Sequence, residues 1–301
     1  MKKDGIYFGL SEEEYFTEKR IGSTLLRNLM ESPAKFWFES YLNPIKKEKS
    51  NKCLQEGKIF HKLLLEGEKA LMADFAIIPS YMHSASNQFK AWKNQQIRPI
   101  IREEDVIKAR SILAYLKKDG SVLSDFFSGG YPEVSILWTD ERGFKRAARI
   151  DYLKVGQFID LKTFENWESD NKNCIRYFWK YKVFVQLIDY LRAIKAAQSL
   201  PVIKGTAKQK AFWEECKEVE NWLPWVCFVN RDYPQYKLKT FDKNHCHDLY
   251  ILGERMIGQA LNTLEKYIQR FSPTYAWIDE PAPGELNFND NDFPQMMGYE
   301  I

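Results

Sequence analysis

The 301-residue sequence lacks the long apolar runs that cross a membrane. No stretch of about 18 consecutive apolar residues occurs, and residues 1–16 (MKKDGIYFGLSEEEYF) have no apolar core of the kind found in a secretory signal peptide. These absences argue against membrane spans and export. The sequence therefore predicts a soluble protein of the cytoplasm.

Cysteine is scarce, and its spacing excludes a disulfide framework. The five cysteines are odd in number and none has CxxC spacing: Cys53, Cys174, Cys216, Cys227 and Cys246. We expect reduced thiols. We also expect no iron–sulfur cluster, because the sequence has no closely spaced group of cysteines that could ligate one.

Positively charged residues are missing from the last 31 positions, 271–301. Residues 271–301 carry six acids and no Lys or Arg, so with a total of +3 the remaining 270 residues carry +9. A basic body suits a polyanionic partner, and an acidic tail at 272–301 suits a mobile or partner-docking segment. A solvated surface with an unstructured tail is the alternative.

At 45% hydrophobic residues, the chain can bury a sizeable core. We predict one domain at 1–271, with a helical N-terminal part at 1–120 and a core at 121–271. Hydrophobic periodicity predicts one helix or a pair of helices at 23–41, further helices at 53–66, 101–118, 176–197 and 248–271, and strands at 133–138, 144–153, 157–163, 225–230 and 236–241. The segment 199–224 is a loop or a short helix. The predicted fold class is mixed α/β, a central mixed sheet with an antiparallel meander flanked by helices.

Charged residues cluster on two of the predicted strands. Asp160 and Lys162 are two apart in a strand and therefore share a face. Asp151 ends the preceding strand nine residues upstream across a tight turn, so two carboxylates can meet at one end of a hairpin. Glu133 on the strand before, and His61 on a helix, could reach the same end. Oxygen-rich ligation favours Mg²⁺ or Mn²⁺.

The segment ARIDYLKVGQFIDLKT resembles the core of the PD-(D/E)XK nuclease superfamily, and the chain is similar to its RecE-type branch, the phage exodeoxyribonuclease VIII-like proteins. The matching pieces, in the family's order, are GKIFHKLLLEG, PEVSILW, RIDYLK, FIDLKT and VQLIDY, within about residues 20–271. Two departures are visible. No proline precedes Asp151, and the second acid is Asp160 where the family often has Glu.

The resemblance implies a site and an activity. It implies a PD-(D/E)XK restriction-endonuclease-like core that binds one or two Mg²⁺ or Mn²⁺ ions through His61, Asp151, Asp160 and the carbonyl of Leu161. It also implies Lys162 as the water-activating base, Glu133 as a further acid of the metal site, and Gln186 and Tyr190 as a substrate-binding pair. The implied activity is 5′→3′ exonuclease action on linear double-stranded DNA in phage-type recombination. A ring-shaped homo-oligomer, a single-strand annealing partner, and the cytoplasm of a bacterial or phage-infected cell are implied as well.

Other interpretations of the same residues remain open. The chain could be an endonuclease or a Cas4-like end-trimming nuclease, although the latter would be expected to have a cysteine trio. It could also be a catalytically inactive DNA-binding protein. Separately, Asp151, Asp160 and Lys162 could form a surface ion-pair cluster. Basic residues of the first hairpin are candidate phosphate contacts or a solvated face: Arg142, Lys145, Arg146 and Arg149.

Overall fold

The computed structural model describes residues 1–46, 52–83, 85–118, 121–164, 171–271 and 276–277, with only the helical backbone given for 52–54. Within those residues, seven strands form the main sheet, in the order β7-β1-β4-β5-β6-β8-β9, and two form a small parallel pair, β2-β3. The strands are β1 Gly5–Tyr7, β2 Ala76–Ile78, β3 Ile100–Arg102, β4 Tyr131–Thr139, β5 Lys145–Lys154, β6 Gln157–Phe164, β7 Val202–Lys204, β8 Leu223–Asn230 and β9 Tyr236–Thr240.

Helices cover both faces of the main sheet. They are α1 Glu12–Phe16, α2 Ser23–Glu31, α3 Pro33–Glu39, α4 Lys52–His61, α5 Glu68–Asp74, α6 Asn87–Asn94, α7 Glu103–Leu116, α8 Val122–Phe126, α9 Asn171–Lys180, α10 Val183–Ala197, α11 Ala207–Lys217 and α12 His247–Phe271. A π-helical turn, Lys62–Glu66, follows α4 directly.

Alternation along the central strands divides the core into two parts. On β6, Phe158 and Phe164 belong to the cluster formed with α2, α3, α10 and α12, whereas Ile159 and Leu161 belong to the cluster formed with α4 and α7. This two-sided burial explains why the central strands are apolar at successive positions. The result is a sheet between two helical layers.

The predicted fold class is confirmed. β4, β5 and β6 pair antiparallel as a meander, and β6 pairs parallel with β8 after a crossover through α9, α10 and α11. The sheet is therefore mixed and flanked by helices. The segment 199–224, predicted as a loop or a short helix, contains both the edge strand β7 and the helix α11. Thr206 and Gln209 form a capping box at the start of α11.

The prediction of a single helix at 176–197 is wrong, because the chain forms two helices there, α9 and α10, with a break between them. Lys182 adopts a left-handed conformation with φ of 47°, and Arg27 of α2 donates to the carbonyl of Tyr181 at 2.7 Å. A contact from 154 residues away thus stabilises a break that no local glycine or proline signals.

The predicted acidic tail at 272–301 lies almost wholly outside the described residues. Within the tail, Trp277 is described and is buried against the core, stacked on Phe36 at a centroid distance of 5.2 Å. In the described part of the chain, no helix combines the length and apolarity that spanning a membrane requires.

Candidate metal centre

The candidate site lies where β5 and β6 separate. These strands pair over only three residues on each side, ending at Tyr152 and Ile159, after which β5 continues along β4 and β6 continues along β8. Asp151 and Asp160 are the next residues beyond that last pair. The fork therefore brings the two acids of the hairpin to one place.

Asp151 is fixed by the fork itself. Its Oδ2 accepts the backbone N–H of Leu161 at 2.7 Å, which satisfies a donor that strand pairing leaves open at this point. The side chain of Leu161 is buried in the core, so its amide is held firmly. Asp151 retains its other oxygen for a ligand.

Glu133 lies opposite Asp151 in the register of the β4–β5 ladder. Its φ of 53° is left-handed, a conformation that is unfavourable for a residue with a side chain. The alternation of β4 also shifts here, since Tyr131 and Val134 pack on the same core cluster although they are three apart. Arg149 forms an ion pair with the Glu133 carboxylate. The unusual backbone therefore aims this carboxylate at Asp151.

His61 reaches the site from the last residue of α4. The helix approaches β6 closely at Gly57, where an added Cβ would lie 3.1 Å from Oγ1 of Thr163. The π-helical turn that begins at Lys62 changes the helical phase directly after the histidine, as such turns often do at functional sites.

Ligand atoms of His61, Glu133 and Asp151 lie within 4.8 Å of one another. The structure therefore brings together three of the residues that the sequence predicted for the site. Asp160 is not among these three, because Lys162 and Gln186 engage its carboxylate. Its predicted role as a metal ligand stays a prediction, as does that of the Leu161 carbonyl.

The electrostatics of the three residues favour a bound cation. Burial raises the pKa of Asp151 well above its usual range, and the charges of Asp160 and Glu133 raise it further. Burial lowers the pKa of His61, so the imidazole tends to be neutral and to offer a lone pair. A divalent cation would offset the repulsion between the carboxylates.

Behind this group, Asp160 is the centre of a buried polar network. Its Oδ1 accepts from Lys162 Nζ at 2.9 Å and from Gln186 Nε2 at 3.0 Å. Gln186 Oε1 accepts from Lys162 at 3.2 Å, and its amide also donates to the hydroxyl of Tyr190 at 2.7 Å. Gln186 and Tyr190 are both buried, so their observed contacts are with the network; their predicted substrate-binding role is untested.

The residues fit a divalent ion on two counts. The donor set is one imidazole and two carboxylates, which suits Mn²⁺ and related ions. In addition, burial, the charge of Asp160 and the charge of Glu133 together raise the pKa of Asp151, and a bound cation would offset this repulsion between neighbouring carboxylates.

The basic residues of the first hairpin have separate roles. The prediction that Arg146 could contact phosphate is wrong, because this side chain is buried. Arg146 is 1% exposed, donates to Asp189 Oδ1 at 2.5 Å and lies over the ring of Trp138. Among these basic residues, Arg149 contacts the site through its ion pair with Glu133. This pair was not predicted from the sequence. The position of Arg149 two residues before Asp151, on the same strand face, was the available signal.

Comparison with known proteins adds evidence on the fold. No protein-family model matches the sequence, and no curated protein matches it. Among solved structures, the chain is similar to a crystal structure from Eubacterium rectale described as a "putative exonuclease", with a TM-score of 0.53 and 13% identity, over 86% of this chain and 88% of that one. At that identity the likeness shows a shared fold. The molecule is thus a mixed α/β protein that shares its overall fold with that structure.

Proposed function

We propose that the protein is a metal-dependent nuclease, and more specifically an exodeoxyribonuclease that degrades linear double-stranded DNA from its ends in the 5′→3′ direction. The observation that carries the proposal is the convergence of His61, Glu133 and Asp151 directly beside the Asp160–Lys162 pair. Hydrolysis of a phosphodiester requires charge neutralisation and an oriented water at one place, and this arrangement provides groups for both.

His61, Glu133 and Asp151 would hold the cation, Mg²⁺ or Mn²⁺, with the Asp160 carboxylate as a further ligand that also pairs with Lys162. When bound, the ion polarises the scissile phosphate and stabilises the departing 3′ oxygen. Asp151 is held by the amide of Leu161, and Glu133 by Arg149. These contacts orient the two carboxylates before any ligand arrives.

We assign to Lys162 the activation of the attacking water. Once Nζ has released one proton to solvent, it would accept a proton from the attacking water as the water oxygen bonds to phosphorus; the phosphorus–3′-oxygen bond breaks, leaving a 5′-phosphate and, after protonation, a 3′-hydroxyl. Two acceptors, Asp160 and Gln186, fix Nζ at 2.9 and 3.2 Å. Gln186 and Tyr190 are then positioning residues, because they act on the reaction through Asp160 and Lys162.

The finer parts of the proposal rest on the motif resemblance to the RecE-type branch. These parts are action at DNA ends, 5′→3′ polarity, and a role in recombination beside a single-strand annealing protein. A ring-shaped homo-oligomer also stays a prediction of that resemblance.

The test compares linear and covalently closed circular duplexes of the same sequence, with Mg²⁺, with Mn²⁺ and with EDTA. Asp160→Asn protein purified in parallel controls for a contaminating nuclease. We expect metal-dependent loss of the linear duplex only, with a 5′-terminal label released before a 3′-terminal one. Cleavage of the circle would replace the exonuclease with an endonuclease. No cleavage of either DNA with any divalent ion would overturn the nuclease proposal.

A further inference from the structure

Helix α9 and the break after it carry an unusual composition. Residues 171–182 (NKNCIRYFWKYK) contain four cations, four aromatic residues and no acid. Lys172, Arg176 and Lys180 follow one another at intervals of four, so they form a ridge along the helix. Like charges at this spacing destabilise a helix, and among the described residues no acid forms an ion pair with any of the three.

Next to the cationic ridge runs an exposed apolar one. Ile175 and Trp179, also four apart, are 57% and 41% exposed, and Tyr181 at the helix end is 44% exposed. The opposite side of the helix is anchored, since Cys174 is buried and Phe178 contacts Phe241 at 5.6 Å. The exposed rings are therefore presented by a helix that is fixed to the core.

The same helix lies beside the candidate catalytic residues. Tyr177 contacts Phe228 of β8 on one side and Tyr181 on the other, at centroid distances of 5.8 and 4.4 Å. Phe228 in turn is the register partner of Lys162 across the β6–β8 ladder. The charge of Asp160 also adds to burial in raising the pKa of the Tyr177 hydroxyl to about 12. A line of aromatic rings thus runs from the site to the exposed surface.

We infer that this exposed face of α9, comprising Lys172, Ile175, Arg176, Trp179, Lys180 and Tyr181, binds an unpaired segment of the DNA strand next to the catalytic centre. The inference rests on the proposed nuclease function and adds a substrate subsite to it. Cations track a phosphate backbone, and exposed rings stack on bases. Bases inside a duplex offer no free face for stacking, so the surface suits unpaired bases, such as those at a frayed end or overhang.

Stacking and charge leave different signatures, which makes the assignment testable. The measurement is the affinity for a fluorescein-labelled single-stranded oligonucleotide, taken at several salt concentrations with EDTA present to prevent cleavage. Trp179→Ala should weaken binding roughly 5- to 150-fold and leave the salt dependence unchanged. Arg176→Ala combined with Lys180→Ala should reduce the slope of log K against log salt by about 1.4, because two phosphate contacts are lost.

Matched variants separate this surface from general effects. Tyr115→Ala removes a 74% exposed ring from α7, and Lys208→Ala with Lys210→Ala removes two exposed cations from α11. Both should bind the oligonucleotide as wild type does. Since Trp179 contacts Phe184 at 5.5 Å, Trp179→Leu is a second variant that keeps an apolar contact there but has no ring to stack. It should lose affinity as Trp179→Ala does.

Failure of this inference can be distinguished from failure of the proposed function. Hydrolysis of bis(p-nitrophenyl) phosphate with Mn²⁺ reports the catalytic centre alone and should be equal in wild type and α9 variants. If wild type cleaves DNA but the α9 variants keep their affinity and salt slope, the inference is overturned while the nuclease proposal stands. Equal losses in the α7 and α11 control variants would also overturn it. If wild type cleaves neither DNA nor this diester, the nuclease proposal itself is rejected.

Discussion

The carboxylate of Asp151 accepts the backbone N–H of Leu161 at 2.7 Å, across the point where β5 and β6 stop pairing. One side chain thereby replaces a missing ladder bond and becomes fixed. The side chain of Leu161 is 1% exposed, so the core holds the donor. The candidate metal centre is thus built on the irregularity of the sheet, where backbone groups would otherwise lack partners.

The first prediction concerns the Asp160–Lys162 pair. Lys162→Ala should reduce metal-dependent cleavage by roughly 10²- to 10⁴-fold, because the attacking water loses its positioned amine. It should also lower the free energy of unfolding of the metal-free protein by about 1–3 kcal/mol, since the buried Asp160 carboxylate loses a charged donor. Urea unfolding and a cleavage assay measure the two effects.

The double variant Asp160→Asn with Lys162→Met is the control for that stability loss. It removes both charges and should recover most of the stability without recovering activity. A Lys162→Ala protein as stable as wild type would show that Asp160 is solvated and not buried. Normal cleavage by Lys162→Ala would show that another group activates the water.

The second prediction concerns His61. His61→Ala should weaken binding of Mn²⁺, measured by isothermal titration calorimetry, and should reduce cleavage more at limiting than at saturating metal. The reason is that a lost ligand lowers ion affinity before it removes the carboxylate site. His245, whose side chain is 87% exposed and pairs with Asp242, provides the matched control. Equal loss of activity at every metal concentration would assign His61 a different role.

Much of the fold is predictable because local pattern and tertiary environment agree. The hairpin from 144 to 163 alternates correctly and carries its turn residues between the strands, so Asp151 and Asp160 could be placed together from sequence. Fully buried strands such as β8 are apolar at successive positions, which also identifies them. His61 was predicted as a metal ligand because it lies on a predicted helix and because an imidazole together with the acids of the strands forms a plausible ligand set.

The remaining features depend on contacts that are distant in sequence. The break at Lys182 depends on Arg27, and the burial of Arg146 depends on Asp189, 43 residues away. The left-handed backbone of Glu133 has no signal, because glutamate is an unusual residue for that conformation. Short strands such as β1 and β7, with three residues each, carry too little pattern to detect.

The third prediction is a pH dependence at the buried Asp189–Arg146 pair. Burial raises the pKa of Asp189, and the Arg146 guanidinium only partly opposes this. The folded protein therefore binds this proton more tightly than the unfolded chain does. Stability from this group should fall as pH rises from the unfolded value of 3.8 through the raised folded pKa.

Comparison with Asp189→Asn isolates that contribution from all other carboxylates. As pH is lowered from 7 towards 4, the stability advantage of wild type over Asp189→Asn should grow, as measured by urea unfolding at each pH. An advantage that shrinks on acidification would mean that the ion pair outweighs burial and that the folded pKa lies below its usual value.

The last prediction concerns the close approach of α4 to β6 at Gly57. An alanine in a helix interior is favoured over glycine by about 1 kcal/mol, but at this position the added Cβ would lie 3.1 Å from Thr163 Oγ1. Gly57→Ala should therefore gain less stability than its helix propensity provides. Because His61 lies one turn further along, the displaced helix should also weaken Mn²⁺ affinity, by roughly 10-fold or more.

Two further variants make this prediction decisive. Gly258→Ala on α12 meets no atom within 4 Å, so it should gain about 1 kcal/mol and leave Mn²⁺ affinity unchanged. Gly57→Ala combined with Thr163→Ala removes the colliding oxygen and should restore the affinity. If Gly57→Ala alone behaves like Gly258→Ala in both measurements, then the approach of α4 to β6 does not position His61, and the histidine is held by other contacts.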